Sequence, residues 1–269
     1  MRIFLFILLI FYPFYFILAQ NKNYTSDEAT EFFNFLDKFI RDYDSNTGST
    51  KNYSEEEVFD FAKKYYKAIA EDPIGYNKYI LNEYNGFTSR RKAGLNLNEM
   101  PPPLKRGIFL NLLKEKLGKE FTEIIGVPYF LRVNIREIKH GIYISTTDSM
   151  KFGQTDLLCQ IEDVIKGDNR FEAGDTIIVG FLDWWLKDPN KNFEVDKSYF
   201  IPLQPWKCNV NTCDEITLRL FPDNNYGIYP IVVNFIQTPG NYFGLGEISK
   251  WTDFKNHFTE NYVDWFKLE

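Results

Sequence analysis

The chain has 269 residues, with 37 acidic side chains against 31 basic ones and a formal net charge of −6. That balance disfavours nucleic acid and anionic lipid as partners. Three cysteines are too few for a disulfide-stapled mini-protein, and the 18% of aromatic residues is by itself a property of composition rather than a sign of a ligand site.

The chain opens MRIFLFILLIFYPFYFILAQ, a single charge at Arg2 followed by an uncharged apolar run from Ile3 to Ala19 that Pro13 interrupts. This is the layout of a signal peptide (residues 1–19), with cleavage expected before Gln20. A spanning helix needs ~20 uninterrupted apolar residues. No lipobox cysteine marks the junction, and no later run approaches membrane length. The expected location is secreted, periplasmic or at the cell surface, with no membrane span in the mature chain.

From Thr25 to about Ile125 the apolar residues recur at helical spacing. In TSDEATEFFNFLDKFIRDY, Phe32, Leu36, Phe39, Ile40 and Tyr43 share a face behind a Ser26 cap. In EEEVFDFAKKYYKAIAED the face is Val58, Ala62, Tyr65 and Ile69, with Ser54 and Glu57 spaced as a capping box and Pro73 beyond the end. The interval Asn85 to Met100 reads as loop, with Arg90, Arg91 and Lys92 a solvated basic tip. PPPLKRGIFLNLLKEKLGKEFTEII enters a further helix on prolines and carries Leu104, Ile108, Leu112, Phe121 and Ile124.

After Gly126-Val127-Pro128 the period changes to two. Leu131, Val133 and Ile135 alternate inward in YFLRVNIREI, GIYIST reads as a short partner strand after a turn at His140, and LLCQIEDVI, DTIIVGF, SYFIPL, EITLRLF and IVVNF follow. The rhythm is that of a small antiparallel barrel or sandwich. In SKWTDFKNHFTENYVDWF, Ser249 is expected to cap a helix burying Trp251, Phe254, Phe258 and Trp265. The expected fold is α+β: a helical region over 20–125, then an OB-like β-barrel domain with a C-terminal helix over 126–269.

The turns carry a family likeness. VIKGD (Val164 to Asp168), AGDTIIV (Ala173 to Val179) and VDKSYFIPL (Val195 to Leu203), followed by the PGNYFG turn and a Trp-x-x-Phe helix, resemble exported bacterial proteins with a TIMP-like or netrin-like OB-fold barrel. Two positions depart from that pattern. Ala173 stands where a hydrophobic residue precedes the glycine, and Asp196 stands where glycine precedes the lysine. The resemblance implies a fold over the C-terminal half. In the metalloproteinase inhibitors of that fold an N-terminal cysteine binds the protease zinc; the expected mature end here is Gln20, so that mechanism does not transfer. Without the resemblance, Gly167 and Gly174 supply sharp turns at which Asp168 and Asp175 can accept from nearby amides.

Catalytic vocabulary is sparse. There is no G-x-S-x-G elbow, H-E-x-x-H or Walker loop, and the two histidines, His140 and His257, read as surface positions. DPNKNFE spaces Asp188, Asn190 and Asn192 like a calcium loop, but Phe193 and Tyr199 stand where an EF-hand needs glycine and glutamate, so it reads as a polar turn. No metal or cofactor is expected. Cys208 and Cys213 enclose only NVNT and are expected to form a disulfide in an exported chain, whereas Cys159, between Leu157 and Ile161 on one strand face, reads as a buried free thiol. Trp184 and Trp185 are adjacent in FLDWWLKDPNKN, so in extended chain one enters the core and the other faces outward, where it can stack on a sugar ring or anchor a protein.

The functional expectation is a non-catalytic binding or interaction module of the cell envelope or extracellular space. Trp184 and Trp185 are its candidate ligand-binding residues, and an envelope protein or polysaccharide is its partner. The alternative is a secreted hydrolase using paired carboxylates between the two halves.

Overall fold

The computed structural model describes residues 32, 34–39, 53–70, 73–95, 100–144, 151–182, 193–206, 215–218 and 227–265. The expected signal peptide therefore lies outside the described residues, as do Trp184, Trp185, Cys208, Cys213 and the Asp188 turn.

Residues 34–39 are helical, followed by α1 (Glu55–Ala70), α2 (Pro73–Lys92), α3 (Pro102–Leu117) and α4 (Lys119–Ile125). The capping box of α1 forms as the sequence suggests: the Glu57 amide donates to Ser54 Oγ at 3.2 Å and the Ser54 amide to Glu57 Oε2 at 2.9 Å. Its expected face, Val58, Ala62, Tyr65 and Ile69, is buried, and so are Phe32, Leu36 and Phe39. These residues meet Phe109 of α3 in an aromatic core, the ring centroids of Phe32, Tyr65 and Phe39 each lying 5.7–5.8 Å from that of Phe109.

Two helical expectations are corrected. α2 runs on through Lys92 rather than giving way to loop at Asn85. Phe87 is buried and holds this stretch in place despite Asn85 and Gly86, and Arg90, Arg91 and Lys92 occupy the last turn, where cations complement the helix dipole. In α3 the buried face is Phe109, Leu112 and Leu113, while Leu104 is exposed. Gly118, at φ 92°, breaks the run, so Phe121 and Ile124 belong to the separate helix α4.

The sheet has eight strands: β1 (Tyr129–Ile144), β2 (Lys151–Lys166), β3 (Thr176–Leu182), β4 (Ser198–Trp206), β5 (Glu215–Leu218), β6 (Tyr229–Val232), β7 (Phe235–Gln237) and β8 (Ile248–Lys250). Their order is β1-β2-β3-β5-β4-β6-β7-β8, with β1 also pairing to β4. Every pairing is antiparallel except that of β3 with β5. Leu131, Val133 and Ile135 point into a core completed by Leu157, Ile161, Val179, Ile201 and Leu203.

Several strand boundaries differ from expectation. GIYIST does not turn back: its first residues continue β1, and His140 pairs with Thr155 across β2, its Nδ1 2.8 Å from Thr155 Oγ1. IVVNF is two strands, β6 and β7, because Val233 and Asn234 take φ 49° and 65° and close a two-residue hairpin. Ser249 caps no helix; it is committed to β8 opposite Ile236, and the first amide of α5 (Trp251–Phe258) donates instead to the Asn234 carbonyl at 2.8 Å. Asp196, where the resembled pattern has glycine, takes φ 60°, a left-handed conformation that aspartate tolerates better than most side chains. At Gly167 a Cβ would lie 2.9 Å from Tyr129 Cδ1, so the ring of Tyr129 requires glycine there.

α5 and the π turn after it (Thr259–Val263) join the halves. Phe254 and Phe258 of α5 pack on Phe200 of β4 at 5.1 and 5.2 Å between centroids. Trp265 beyond the turn enters the helical core against Tyr66 and Phe121. The expected buried set Trp251, Phe254, Phe258 and Trp265 is thus buried, but over two cores rather than one.

Lys166 ends β2 fully inside this junction. Its Nζ donates to the carbonyls of Ile124 at 3.1 Å and Ile125 at 2.8 Å, satisfying the end of α4, and sits 4.6 Å from the centre of the Tyr66 ring. Burial holds its pKa well below the usual lysine value. A depressed lysine contributes stability that is full above the unfolded pKa of ~10.4 and is lost as pH falls through the folded pKa. Against Lys166→Met, the unmutated protein should therefore gain relative stability between pH 7 and 10 by up to about 1.4 kcal/mol per pH unit. Denaturant titrations of both proteins measure this, and a flat difference would mean that the ammonium stays charged in the fold.

Candidate functional site

A groove of about 300 Å³ lies where α2, the first turn of α3 and residues 34–39 meet the end of β4. α2 lines it with Asn77, Ile80, Leu81 and Tyr84, positions separated by three, one and three residues that fall on a single helix stripe. Leu36 and Pro205 complete the apolar wall. Asn77 Nδ2 donates to the Pro205 carbonyl at 3.2 Å and so ties the helical region to β4 at this wall.

Four charged side chains border the groove: Asp37, Glu83, Lys105 and Arg106. Lys105 Nζ donates to Asp37 Oδ1 at 2.6 Å, with the lysine largely covered and the aspartate open to solvent. Arg106 lies beside the buried Tyr76, whose hydroxyl pKa is raised by burial and partly brought back by the guanidinium. Tyr79, one turn from Glu83, is pushed up to about 12 by burial first and then by the negative charges of Glu83 and Asp37. The Leu104 and Lys105 amides both donate to the Pro101 carbonyl, and Pro102 and Pro103 have no N–H. The start of α3 consequently offers the groove side-chain charge rather than main-chain donors.

A second polar cluster joins α4 to the C-terminal segment. Tyr262 Oη donates to Glu120 Oε1 at 2.8 Å, and Tyr242 Oη to Glu123 Oε2 at 3.3 Å. Lys114 approaches Glu123 at 3.4 Å. Burial raises the Glu120 carboxyl, partly offset by the Tyr262 hydrogen bond and by His257. His257 is no free surface residue: its Nε2 lies 3.0 Å from the Phe243 carbonyl oxygen and its Nδ1 3.2 Å from Asn261 Nδ2. Each carboxylate here holds a tyrosine between packed elements, which is a clamp rather than an opening for substrate.

Trp184, Trp185, Cys208 and Cys213 lie outside the described residues; His140 is on the exposed far end of β1, far along the chain from His257 on α5. Cys159 is buried and free, and burial pushes its thiol up to about 12. Asp168 Oδ1 accepts from the Arg170 amide at 3.1 Å and Asp175 Oδ2 from the Glu172 amide at 2.8 Å, the turn roles expected of them. Among the described residues no group of three or more His, Cys, Asp or Glu side chains is placed to hold a metal ion, and no helix is long and apolar enough to cross a membrane. No protein-family model matches the chain, and neither a curated protein nor a solved structure matches it.

Sequence reading passed over the α2 stripe although its spacing was visible in YNKYILNEY. The spacing marks a face, but only the packed structure shows that the face is left partly uncovered.

The clamp yields a test opposite in sign to that of Lys166. A raised carboxyl contributes stability that is full below the unfolded pKa of ~4.3 and is lost as pH rises through the folded value. Relative to Glu120→Gln, the unmutated protein should be more favoured at pH 4 than at pH 7. Thermal or denaturant unfolding at the two pH values checks this, and an equal difference would mean that Glu120 is solvated.

Proposed function

We propose that the protein is an exported, non-catalytic binding module of the cell envelope or extracellular space and that the groove between α2, α3 and β4 is its binding site. The observation that carries the reading is the pairing of an apolar wall with a charged border whose acids are already engaged. Asp37 is held by Lys105, and Glu83 accepts a hydrogen bond from Tyr79, so neither acid is left as the unpartnered general acid or base of a hydrolase. Location in the envelope rests on the apolar run of residues 3–19, and the Trp184-Trp185 pair is the proposed contact for an envelope protein or polysaccharide.

The circuit of pairings β1–β2, β2–β3, β3–β5, β5–β4 and β4–β1 supports an OB-like barrel within the larger sheet, in keeping with the likeness to exported TIMP-like and netrin-like proteins. The Cys208–Cys213 disulfide belongs to the same proposal.

Ligand-detected NMR with mixtures of amino acids, short peptides and oligosaccharides tests the site. Compounds should bind the unmutated protein without being consumed, and binding should be lost in Leu81→Trp, which fills the groove. Turnover that disappears in Asp37→Asn or Glu83→Gln would establish the hydrolase reading instead. N-terminal sequencing of the secreted chain should begin at or near Gln20; recovery of Met1 in membranes would contradict export.

A further inference from the structure

The four charges bordering the groove divide into an ion pair and two charges without an ion partner among the described residues, Arg106 and Glu83, the latter holding only the Tyr79 hydroxyl. Lys105 and Asp37 neutralise each other at 2.6 Å. Among the described residues no carboxylate pairs with Arg106 and no cation with Glu83. Arg106 lies beside the Tyr76 hydroxyl, which occupies at most part of a guanidinium with five N–H donors. Glu83 and Arg106 line the same groove as the apolar side chains of Ile80, Leu81, Tyr84 and Leu36.

We infer that the groove takes a zwitterionic apolar ligand, of the class of a free apolar amino acid or a dipeptide, with its ammonium at Glu83 and its carboxylate at Arg106. This rests on the reading of the groove as the binding site. Charge complementarity selects the class. With Lys105 and Asp37 paired to each other, a simple anion can pair with Arg106 but is repelled by Glu83, and a simple cation can pair with Glu83 but is repelled by Arg106. A ligand carrying both charges meets an opposite partner at each. The negative field around Glu83 and Asp37, which also acts on Tyr79, favours the ammonium at that end. At the other end the proline-started helix offers no main-chain donor, so the carboxylate depends on the Arg106 side chain, which can hold it through two parallel hydrogen bonds. A volume of about 300 Å³ is at the small end of ligand sites and excludes long peptides from full enclosure.

The test uses the full mature chain and four probes: leucyl-leucine, its N-acetyl form, its C-terminal amide and the neutral apolar cyclohexanol. Calorimetry or NMR titration should show leucyl-leucine binding about tenfold or more tightly than either blocked form, the scale of one lost charge-assisted hydrogen bond. Glu83→Gln should abolish the preference over the N-acetyl form while keeping that over the amide, and Arg106→Gln should do the reverse. If Arg106→Gln unfolds through loss of its contact with Tyr76, Glu83→Gln still decides the matter. Equal binding of all three peptides, or cyclohexanol binding while leucyl-leucine does not, would overturn the zwitterion assignment and leave the groove as a binding site. Failure of every probe, with Leu81→Trp indistinguishable from the unmutated protein, would overturn both.

Discussion

The amine of Lys166 fixes how the two halves of this protein meet. It stands at the end of β2, fully buried, and its two hydrogen bonds go to the last carbonyls of α4. The Ile124 carbonyl also accepts from the Val127 amide at 3.2 Å, whereas the Ile125 carbonyl is among the last of the helix, which have no intrahelical donor; the lysine satisfies it and finds there the acceptors that its own buried amine needs. Because α4 follows α3 after a single glycine, anchoring the end of α4 also restrains where α3 stands in the helical region. Aromatic packing then fills the junction: Phe130 and Phe200 from the strands and Phe254 and Phe258 from α5 on one side, and Trp265 in the helical core on the other. The chain crosses from the sheet back to the helices at its C-terminal end, so the core of the helical region and the core under the sheet are joined through this segment.

The groove is a consequence of that arrangement. With α4 held at Lys166 and Asn77 bonded to Pro205, α2 lies along the end of β4 with part of its apolar stripe uncovered. The site is therefore built by neither half alone: α2 and α3 contribute the stripe and the charges, and β4 contributes the wall against which they are held. The glutamate-tyrosine clamp at Glu120 and Glu123 reinforces the same junction from the other face of α4.

Much of the local structure could be read from residue order. The capping box at Ser54, the buried face of α1 and the inward alternation of β1 need only periodicity and cap chemistry, and they stand as expected. The misses have a common cause, which is tertiary pairing overriding local signals. Asn85 and Gly86 suggest a loop, but burial of Phe87 carries α2 through them. His140-Gly141 suggests a turn, but fourteen paired positions on β2 keep β1 extended. Ser249 looks like a cap until its strand partner is known. Lys166 is the clearest case, since a lysine at a strand end reads as solvated and only the position of α4 makes it a buried anchor. The candidate site was legible only as a stripe on α2; its charges come from segments separated by about twenty to fifty residues, a distance over which spacing carries no information.

Native-state hydrogen exchange read by mass spectrometry tests most directly whether the junction binds the two halves into one cooperative unit. Amides of α1 and α3 should become exchangeable with the same denaturant dependence as those of β1 and β2, all merging into global unfolding. Exchange of the helical amides through a separate opening of lower free energy, with β1 and β2 still protected, would contradict it.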